Sequence, residues 1–301
     1  MTTTTGWTTG STTDATLAGK ADALARRLEE IGSVLVAFSG GADSALLLAA
    51  AVRALGTERV AAATAVSASL PESERGPAQT FSSSLGVRHL WPVTDEMSRD
   101  GYRANAGDRC YFCKAELLDV LSPVAAQLGL AHVATGTNAD DAIAGFRPGI
   151  RAAVERGAVS PLREASFSKA EVRALSKAWG LPTWDKPAAA CLSSRVAYGI
   201  SITPTRLARV ERAEAELRDA FARLGLPVAN LRVRDLGERA RVEVDAAYAE
   251  RAAAMPEVSA AVRSAGFDEV EVDLRGFRSG SMNEALPEAA PNSFGPGSTA
   301  V

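Results

Sequence analysis

The stretch VLVAFSGGADSALLLAAA, residues 34–51, constrains the fold of this 301-residue chain more than any other. An apolar run meets a glycine pair, and an Ala/Leu-rich helical run follows directly. A buried strand that turns through glycines into a helix is typical of a parallel α/β unit. Glycines let the backbone bend sharply, and a helix start presents unpaired N–H groups to an anion. The stretch therefore predicts a phosphate-binding turn; the alternative is an ordinary turn with Asp43 or Ser44 as the N-cap.

Strands and helices alternate through the first two-thirds of the chain, which predicts an α/β fold with a doubly wound parallel sheet. In such sheets ligands bind beyond the carboxyl ends of the strands, so residues 39–44 and 136–141 are expected on one edge. Ser168 and Glu171 form a predicted capping box. The predicted strands span 33–38, 59–67, 87–93 and 132–138, and the predicted helices 44–55, about 113–128 and 166–182.

The pattern changes after Pro187, where a smaller C-terminal α+β domain is predicted. Its hairpin is expected to turn at Gly237. Its predicted elements are a helix at 202–226, the hairpin at 231–245, a helix at 255–265 and a strand at 269–277. The predicted division is a tail at 1–16, an ATP-binding domain at 17–187, the α+β domain at 188–280 and a second tail at 286–301. Both tails are expected to be disordered, because the first is rich in Thr and the second in Pro, Gly and Ser.

Composition narrows the expected partners. The formal net charge is −3, so no overall basic field attracts nucleic acid, although a local basic patch stays possible. The N-terminus lacks the basic and apolar regions of a signal peptide, and no apolar run reaches the ~18 residues of a membrane span. A cytoplasmic protein without membrane attachment is expected.

Three cysteines are present, a Cys-x-x-Cys at Cys110 and Cys113 and the distant Cys191. In a reducing compartment such a pair is more often metal-binding or redox-active than a structural disulfide. Zinc could use all three with His89 or His132. Three thiolates could instead hold a [4Fe–4S] cluster and leave its fourth iron open to hydrosulfide. Cys191 as a merely buried side chain is a further possibility.

Other candidate ligands lie at the predicted sheet edge. Asp140 and Asp141 could hold Mg²⁺ or ribose, or could cap a helix. Lys169 could touch phosphate or could be a solvated lysine. No G-x-x-x-x-G-K-[ST] motif occurs, which excludes a Walker-type loop.

The segment SGGADS, residues 39–44, resembles the PP-loop of the ATP pyrophosphatase superfamily, whose α/β fold is of the adenine nucleotide alpha hydrolase type. The resemblance implies an enzyme that adenylates its substrate with ATP and Mg²⁺ and releases pyrophosphate. It implies a catalytic role for Asp43. The implied ATP contacts are Ser39, Gly40, Gly41, Asp43 and Ser44, with Asp141 as a further candidate.

With RCYFCKAEL (109–117) and KPAAACLSSR (186–195), the chain resembles ATP-dependent sulfur transferases that build the nickel-pincer nucleotide cofactor of lactate racemase. The resemblance runs over roughly residues 17–280. It implies that carboxylates of pyridinium-3,5-biscarboxylic acid mononucleotide become thiocarboxylates through acyl-adenylates. Cys191 matches the reactive cysteine. In some members that cysteine gives up its own sulfur, whereas the three-cysteine type is similar to iron–sulfur enzymes, which favours a [4Fe–4S] cluster on Cys110, Cys113 and Cys191 supplied by a sulfide source.

The resemblance also points to residues after Cys191. A dianionic nucleotide needs cations, and arginine suits phosphate and carboxylate. It implies that Glu243 contributes to a metal site between subunits of a trimer-based homo-oligomer. For Arg232 and Arg234 the alternative is that they lie on a solvated strand face. For Glu243 the alternative is an ordinary exposed strand glutamate, and for Glu214 it is a salt-bridge partner. The substrate-binding candidates are Ser194, Arg195, Arg232, Arg234 and Glu214.

Two rival functions stay open. A cluster-dependent tRNA thiolase would need a basic surface or an added RNA-binding module, and the net charge of −3 does not favour one. An ammonia-using ligase related to NAD or GMP synthetases would give the cysteines no role.

Overall fold

The computed structural model describes residues 12–143, 147–187, 190–278 and 280–282. The chain divides into two compact units. The first extends to Arg103 and continues from Asp108 to Leu192. The second comprises Ala104–Gly107 and the chain from Ser193 onward.

A four-stranded sheet forms the centre of the first unit, with strand order β3-β2-β1-β4 and every pair parallel. Val34 at the start of β1 lies opposite Val60 on one side and His132 on the other. The predicted parallel α/β sheet is confirmed, although its strands are shorter than predicted. The strands are β1 Val34–Ala37, β2 Val60–Ala63, β3 Arg88–Leu90 and β4 His132–Thr135.

Helices cover both faces of this sheet because successive strand residues point to opposite faces. Val34 and Val36 pack into one core cluster with the second helix, whereas Leu35 packs with the fifth. None of the helices in the described ranges combines the length and apolarity that a membrane crossing requires. The helices of this unit are α1 Thr12–Ile31, α2 Ala42–Leu55, α3 Arg75–Ser84, α4 Asp100–Arg103, α5 Arg109–Gln127, α6 Ala139–Ile143, α7 Pro148–Glu155, α8 Pro161–Glu164 and α9 Lys169–Ala178.

Two helix ends test the sequence predictions directly. Helix α1 begins at Thr12, inside the segment 1–16 that was expected to be a tail, while residues 1–11 lie outside the described part. Its later turns bury Leu24 and Leu28, and the helix extends back from that packed stripe. The capping box of α9 is confirmed, since Ser168 Oγ accepts the Glu171 N–H and Glu171 accepts the Ser168 N–H.

The second unit contains a three-stranded sheet of order β5-β6-β7. Strands β5 and β6 form the predicted antiparallel hairpin, and Gly237 has a φ of 101° in its turn. Strand β7 joins parallel to β6. The Asn105 amide donates to the carbonyls of Ala197 and Ile200, which ties 104–107 into this unit. Its elements are α10 Pro204–Arg223, β5 Leu231–Asp235, β6 Arg239–Val244, α11 Ala246–Ala253, α12 Pro256–Ser264 and β7 Glu269–Val272, and the predicted tail at 286–301 lies outside the described residues.

Candidate active site

The glycine turn after β1 is held open by a serine beneath it. Ser44 is buried, and its hydroxyl donates to the Gly41 carbonyl at 3.1 Å and accepts the Ser39 N–H at 3.3 Å. Gly40 has a φ of 71°, which favours glycine. Gly41 is the N-cap of helix α2 and provides no side-chain cap, so the loop presents the N–H groups of a helix start. Such a turn suits phosphate.

Strand β4 brings a second glycine against this loop. A Cβ atom on Gly136 would lie 2.8 Å from the Ser44 backbone nitrogen, a distance that side chains do not tolerate. Only glycine therefore allows the end of β4 to approach the start of α2 this closely. The two segments expected at one sheet edge, 39–44 and 136–141, do meet there.

Asp43 is held by two polar side chains. Its Oδ1 accepts a hydrogen bond from the Asn138 amide at 3.0 Å, and its Oδ2 forms a short ion pair with Lys169. Asn138 is itself buried. Lys169 thus contacts Asp43 rather than standing free in solvent, and its charge lies directly beside the loop.

The two aspartates of α6 have different surroundings. Asp141 lines the same cavity as the loop, and its Oδ2 accepts the Asn138 N–H at 3.2 Å. Asp140 is exposed, and its Oδ2 accepts the Lys169 N–H at 2.8 Å at the start of α9. Of the two, Asp141 is therefore placed to hold a cation at the loop, while Asp140 caps a helix.

A cavity of about 370 Å³ opens beside the loop. It lies at the carboxyl ends of the strands, where α/β sheets bind their ligands. Loop residues, acidic side chains, one lysine and two cysteines share its wall. Its polar lining includes Ser39, Asp43, Ser44, Ser67, Ser69, Glu74, Glu96, Cys113, Lys114, Thr135, Thr137, Asp141 and Cys191.

Cys113 and Cys191 both line this cavity, whereas Cys110 lies one helical turn earlier on α5 and is exposed. Burial raises the pKa of the Cys113 thiol, and the negative charges of Cys191, Glu96 and Cys110 raise it further. Cys113 Sγ lies 3.9 Å from Glu96 Oε1. Cys110 and Cys191 therefore both lie close enough to Cys113 to affect its ionisation.

Two charged neighbours of Cys113 are also removed from water. Burial raises the pKa of the Glu96 carboxyl, against a hydrogen bond from the Ser67 hydroxyl. Burial lowers the pKa of the Lys114 ammonium, and the negative charge of Cys113 opposes that shift. Both side chains line the cavity. Desolvation thus favours the uncharged forms of groups around the thiol.

The histidines do not support the zinc alternative. Both ring nitrogens of His89 lie 2.8 Å from hydroxyl oxygens, those of Thr64 and Ser82, and burial lowers its pKa to about 4. His132 is the exposed first residue of β4, so it lies at the amino ends of the strands, whereas the loop lies at their carboxyl ends. Neither can join the cysteines in the arrangement that the zinc alternative required.

The fit of the cysteines to an iron–sulfur cluster is partial. Among the residues that the structure describes, no group of three or more His, Cys, Asp or Glu side chains is arranged to hold a metal ion. The donor chemistry is nevertheless suitable, since two thiols share the cavity and a third lies one turn away. Residues 188 and 189, just before Cys191, are outside the described part.

In the second unit, Arg195 and Glu214 form a buried bidentate ion pair. Arg195 Nε lies 3.0 Å from Glu214 Oε1, its Nη2 lies 3.2 Å from Oε2, and both side chains are 3% exposed. Burial pushes the pKa of Glu214 up, but Arg195, Arg218 and Arg232 together hold it below its ordinary value. The Glu214 carboxylate also accepts the Val233 N–H at 3.1 Å. The alternative interpretation of Glu214, that it is a salt-bridge partner, is thus confirmed.

Arg234 and Glu243 form a second buried pair. Arg234 Nη2 lies 2.7 Å from Glu243 Oε2, and Ser281 Oγ donates to Oε1 at 2.8 Å. Burial lowers the pKa of Arg232 to about 10, and the charge of Arg195 adds to this. Arg232 and Arg234 therefore do not lie on a solvated strand face, and Glu243 is not an exposed glutamate, so both of these alternatives are wrong. Arg234 also donates to the Ser194 carbonyl at 3.3 Å, so four of the substrate-binding candidates and Glu243 belong to one connected cluster.

Sequence reasoning missed several side chains that line the cavity or contact a residue that lines it. Glu96 and the two serines of the loop after β2 carried no motif. Lys114 directly follows the Cys-x-x-Cys, and Lys186 opens the segment KPAAACLSSR, so the flanks of both cysteine motifs held a usable signal. The residues missed were Ser67, Ser69, Glu74, Glu96, Lys114, Asn138 and Lys186.

Comparison with known proteins gives two full-length relatives. The chain is 43% identical over 273 residues to an uncharacterized protein of Synechocystis sp., a match that covers 90% of this chain and 99% of the relative. It is 37% identical over 281 residues to the pyridinium-3,5-bisthiocarboxylic acid mononucleotide synthase of Lactiplantibacillus plantarum, covering 93% of this chain and 99% of that enzyme. An uncharacterized protein of Methanocaldococcus jannaschii matches 58% of the chain at 26% identity. No protein-family model matches.

Proposed function

The chain belongs to the family of pyridinium-3,5-bisthiocarboxylic acid mononucleotide synthase, and on this premise we propose that it is an ATP-dependent sulfur transferase acting on a pyridinium mononucleotide. The observation that carries the proposal is the shared cavity. One wall is the glycine turn of Ser39–Ser44, and Cys113 and Cys191 lie in the same lining. A phosphate-binding turn and a sulfur-bearing side chain thus face one space in one unit.

The first half-reaction is adenylation of a substrate carboxylate. The carboxylate oxygen attacks the α-phosphorus of ATP, and the bond to the leaving pyrophosphate breaks. The loop N–H groups and Lys169 would stabilise the phosphate charge. Asp141 and Asp43 would supply carboxylate oxygens to Mg²⁺, which neutralises further charge when bound. The product is an acyl-adenylate, in which AMP is the leaving group.

The second half-reaction replaces AMP with sulfur. A sulfur nucleophile presented at Cys191 attacks the acyl carbon, the bond to AMP breaks, and a thiocarboxyl group remains. Cys191 lines the cavity with the loop, so the acyl-adenylate need not leave the site where it forms. Water would compete for the same carbon, and a partly enclosed cavity limits that loss. The second carboxylate would react in the same way.

For sulfur delivery we favour the cluster type, with Cys110, Cys113 and Cys191 as the residues that would hold a [4Fe–4S] cluster. Such a cluster, when bound by three cysteines, supplies an open iron that binds hydrosulfide. The support is the donor set, since Cys113 and Cys191 line one cavity and Cys110 lies one helical turn before Cys113 on α5. Cys113 lies beside Glu96 and Lys114, whose uncharged forms burial favours.

A second delivery route rests on a separate observation. Cys191 lines the cavity, whereas the exposed Cys110 does not. In this route the Cys191 sulfur attacks the acyl-adenylate and forms a thioester. A base then removes the Cys191 Cα proton, the Cβ–S bond breaks, the thiocarboxylate leaves and dehydroalanine remains. This route needs no iron–sulfur cluster and uses the protein once per sulfur atom.

Arginines of the second unit stay candidates for binding the anionic groups of the substrate. Ser194, Arg195, Arg232 and Arg234 stay the proposed partners of the substrate's anionic groups, and Glu214 and Glu243 would hold the arginines in place. A metal-binding role of Glu243 between subunits, a trimer-based assembly and the cytoplasm as the location stay predictions. The named relative acts on a mononucleotide, which favours this function over the tRNA thiolase and the ammonia-using ligase.

The test is an anaerobic assay of purified protein with ATP, Mg²⁺, the biscarboxylic mononucleotide and sulfide. Mass spectrometry should detect thiocarboxylate product together with AMP and pyrophosphate. The cluster route predicts a brown, iron-loaded protein, repeated turnover and loss of iron in Cys110→Ser. The sacrificial route predicts colourless protein, one sulfur per chain and a Cys191 peptide lighter by one H₂S. If neither the iron-loaded nor the iron-free protein produces AMP and thiocarboxylate, the proposed function is contradicted.

A further inference from the structure

Asn138 is a buried polar residue that binds two carboxylates of the cavity wall. It is only 3% exposed. Its side-chain Nδ2 donates to Asp43 Oδ1 at 3.0 Å, and its backbone N–H donates to Asp141 Oδ2 at 3.2 Å. Both aspartates line the cavity beside the glycine turn. One residue thus holds one oxygen of each carboxylate.

The second oxygen of each carboxylate faces a basic side chain. Asp43 Oδ2 pairs with Lys169, and Asp141 Oδ1 lies 3.9 Å from Nη2 of Arg147. These are the two oxygens that Asn138 does not bind. Mg²⁺ prefers oxygen donors and commonly takes one or two carboxylates, while substrate phosphates supply further oxygens. The donor set of Asp43 and Asp141 therefore fits the ion that accompanies ATP.

The orientation of the Asn138 amide follows from its partners. Its Oδ1 accepts the Asp141 N–H at 3.1 Å. The opposite orientation would turn this oxygen toward the Asp43 carboxylate and the amide hydrogens toward an N–H group, so both contacts would become repulsive. Nδ2 is therefore directed at Asp43. Because the last torsion of an aspartate is broad, this hydrogen bond restricts where the Asp43 oxygens point.

Asn138 also directly precedes helix α6, which offers a purely structural explanation for it. Its exchange of hydrogen bonds with Asp141 is the pattern of a capping box. The bond to Asp43 is not explained by capping, because Asp43 lies 95 residues earlier in the chain, in the first turn of α2. The close approach of Gly136 to Ser44 is what brings the two segments within reach.

We propose that Asn138 is a positioning residue that orients Asp43 and Asp141 as ligands of the Mg²⁺ that accompanies ATP. It occupies Oδ1 of Asp43 and Oδ2 of Asp141, and it leaves the other oxygen of each for the cation. Because the carboxylates are oriented before the ion binds, less conformational freedom is lost on binding. Hydrogen-bond partners of metal ligands commonly change metal affinity by about 10–100-fold. The inference rests on the proposed function, since it requires that the cavity bind ATP with Mg²⁺.

The experiment measures how much Mg²⁺ strengthens nucleotide binding. Calorimetry gives the affinity of a non-hydrolysable ATP analogue in Mg²⁺ and in EDTA, and the ratio of the two is the metal-dependent gain. Asn138→Ser is the decisive variant, because serine keeps an N-cap oxygen for α6 and loses the amide that reaches Asp43. Its gain should be about tenfold smaller than that of the wild type, while the affinity in EDTA stays close to the wild-type value.

Two further variants separate positioning from capping and from general damage. Asn138→Ala loses the cap as well and should show at least the same decrease in gain. Asn230→Ser is the matched control, because both the N–H and the amide of Asn230 donate to Asp245, and neither of these residues lines the cavity. It should keep the wild-type gain. Thermal unfolding of each variant verifies that it is folded.

Kinetics provide an independent readout. Asn138→Ser should need about tenfold more Mg²⁺ for half-maximal ATP–pyrophosphate exchange. The maximal rate should be largely recovered at saturating Mg²⁺, because the carboxylates themselves are unchanged.

The outcomes separate the two proposals. A wild type that binds no analogue, with or without Mg²⁺, contradicts the proposed function itself. If the wild type shows a gain and Asn138→Ser keeps it, the positioning role alone is overturned, and a decrease seen only in Asn138→Ala would assign Asn138 to capping of α6. Affinity lost equally in Mg²⁺ and in EDTA, or a wild type that binds the analogue without any gain from Mg²⁺, also overturns the positioning role.

Discussion

Cys113 and Cys191 line one cavity although they lie far apart in the chain, and the negative charge of Cys191 raises the pKa of the Cys113 thiol. The same cavity contains the glycine turn of Ser39–Ser44. Because the proposed adenylation and sulfur transfer would act on the same carboxyl group in sequence, this proximity bears on which variants separate the two half-reactions.

Cys191→Ser should separate them. We expect loss of thiocarboxylate formation by at least about a hundredfold, since both proposed routes require the Cys191 sulfur, either as a cluster ligand or as the nucleophile. ATP–pyrophosphate exchange with the substrate should persist, because the loop residues are unchanged. Parallel assays of pyrophosphate exchange and thiocarboxylate mass measure this. Loss of exchange to the same extent would place Cys191 in the adenylation step and contradict the assignment.

Gly136→Ala should damage the loop without changing a polar group. The new Cβ would lie 2.8 Å from the Ser44 nitrogen and 3.1 Å from its Cα, so the backbone of one segment must shift. We expect a destabilisation of about 1–3 kcal/mol and a KM for ATP raised about tenfold or more by the misplaced loop. Gly19→Ala on α1 is the control, since nothing lies within 4 Å of its Cβ. Normal ATP kinetics in Gly136→Ala would show that the close contact is not required.

His89 should make the first unit sensitive to acid. Its pKa in the folded state is about 4, below the ordinary 6.5, because burial disfavours the charged ring. The contribution of neutral His89 to the free energy of unfolding is complete above pH 6.5. It is lost as the pH falls toward 4, because only the unfolded chain binds the proton in that range. The loss should approach about 3 kcal/mol. Tryptophan fluorescence during denaturant unfolding measures this loss of stability, since the ring centroid of Trp91 lies 4.3 Å from that of His89.

Substitution isolates this contribution from the acidic side chains that titrate nearby. His89→Gln should show a weaker loss of stability between pH 6.5 and 4 than the wild type. His132→Gln, at the exposed start of β4, should behave like the wild type. Equal pH dependence in His89→Gln and the wild type would mean that the ring is not kept neutral by burial.

Arg195→Met should destabilise the second unit strongly. It leaves the buried Glu214 carboxylate without its bidentate partner, which typically costs about 3–5 kcal/mol. Arg218→Met removes a further ion-pair partner of Glu214. The Arg218 side chain is 47% exposed, so the change should cost at most about 1 kcal/mol. Hydrogen exchange of the β5 and β6 amides reports on this unit. Similar protection in the two variants would contradict the dominant role of Arg195.

The local elements were predictable because their determinants lie close together in the chain. The alternation around β1, the capping box of Ser168 and Glu171 and the hairpin at Gly237 all depend on neighbouring residues, and all three are confirmed. The cavity wall was predictable only in part. The burial of Arg232 and Arg234 depends on packing that strand alternation cannot reveal, and the Lys186–Glu74 pair joins segments 112 residues apart.

By itself the sequence determined the parallel α/β unit, the glycine turn at residues 39–44 and the number of cysteines. Hydrophobic periodicity and glycine preference are local properties, so a single chain carries them openly. Only the tertiary structure decided which side chains share the cavity, that His89 is occupied by two hydroxyls, and that Lys186 donates to the Gly40 carbonyl. Those relationships depend on how distant segments pack, because burial and electrostatic contact arise only when the chain is folded.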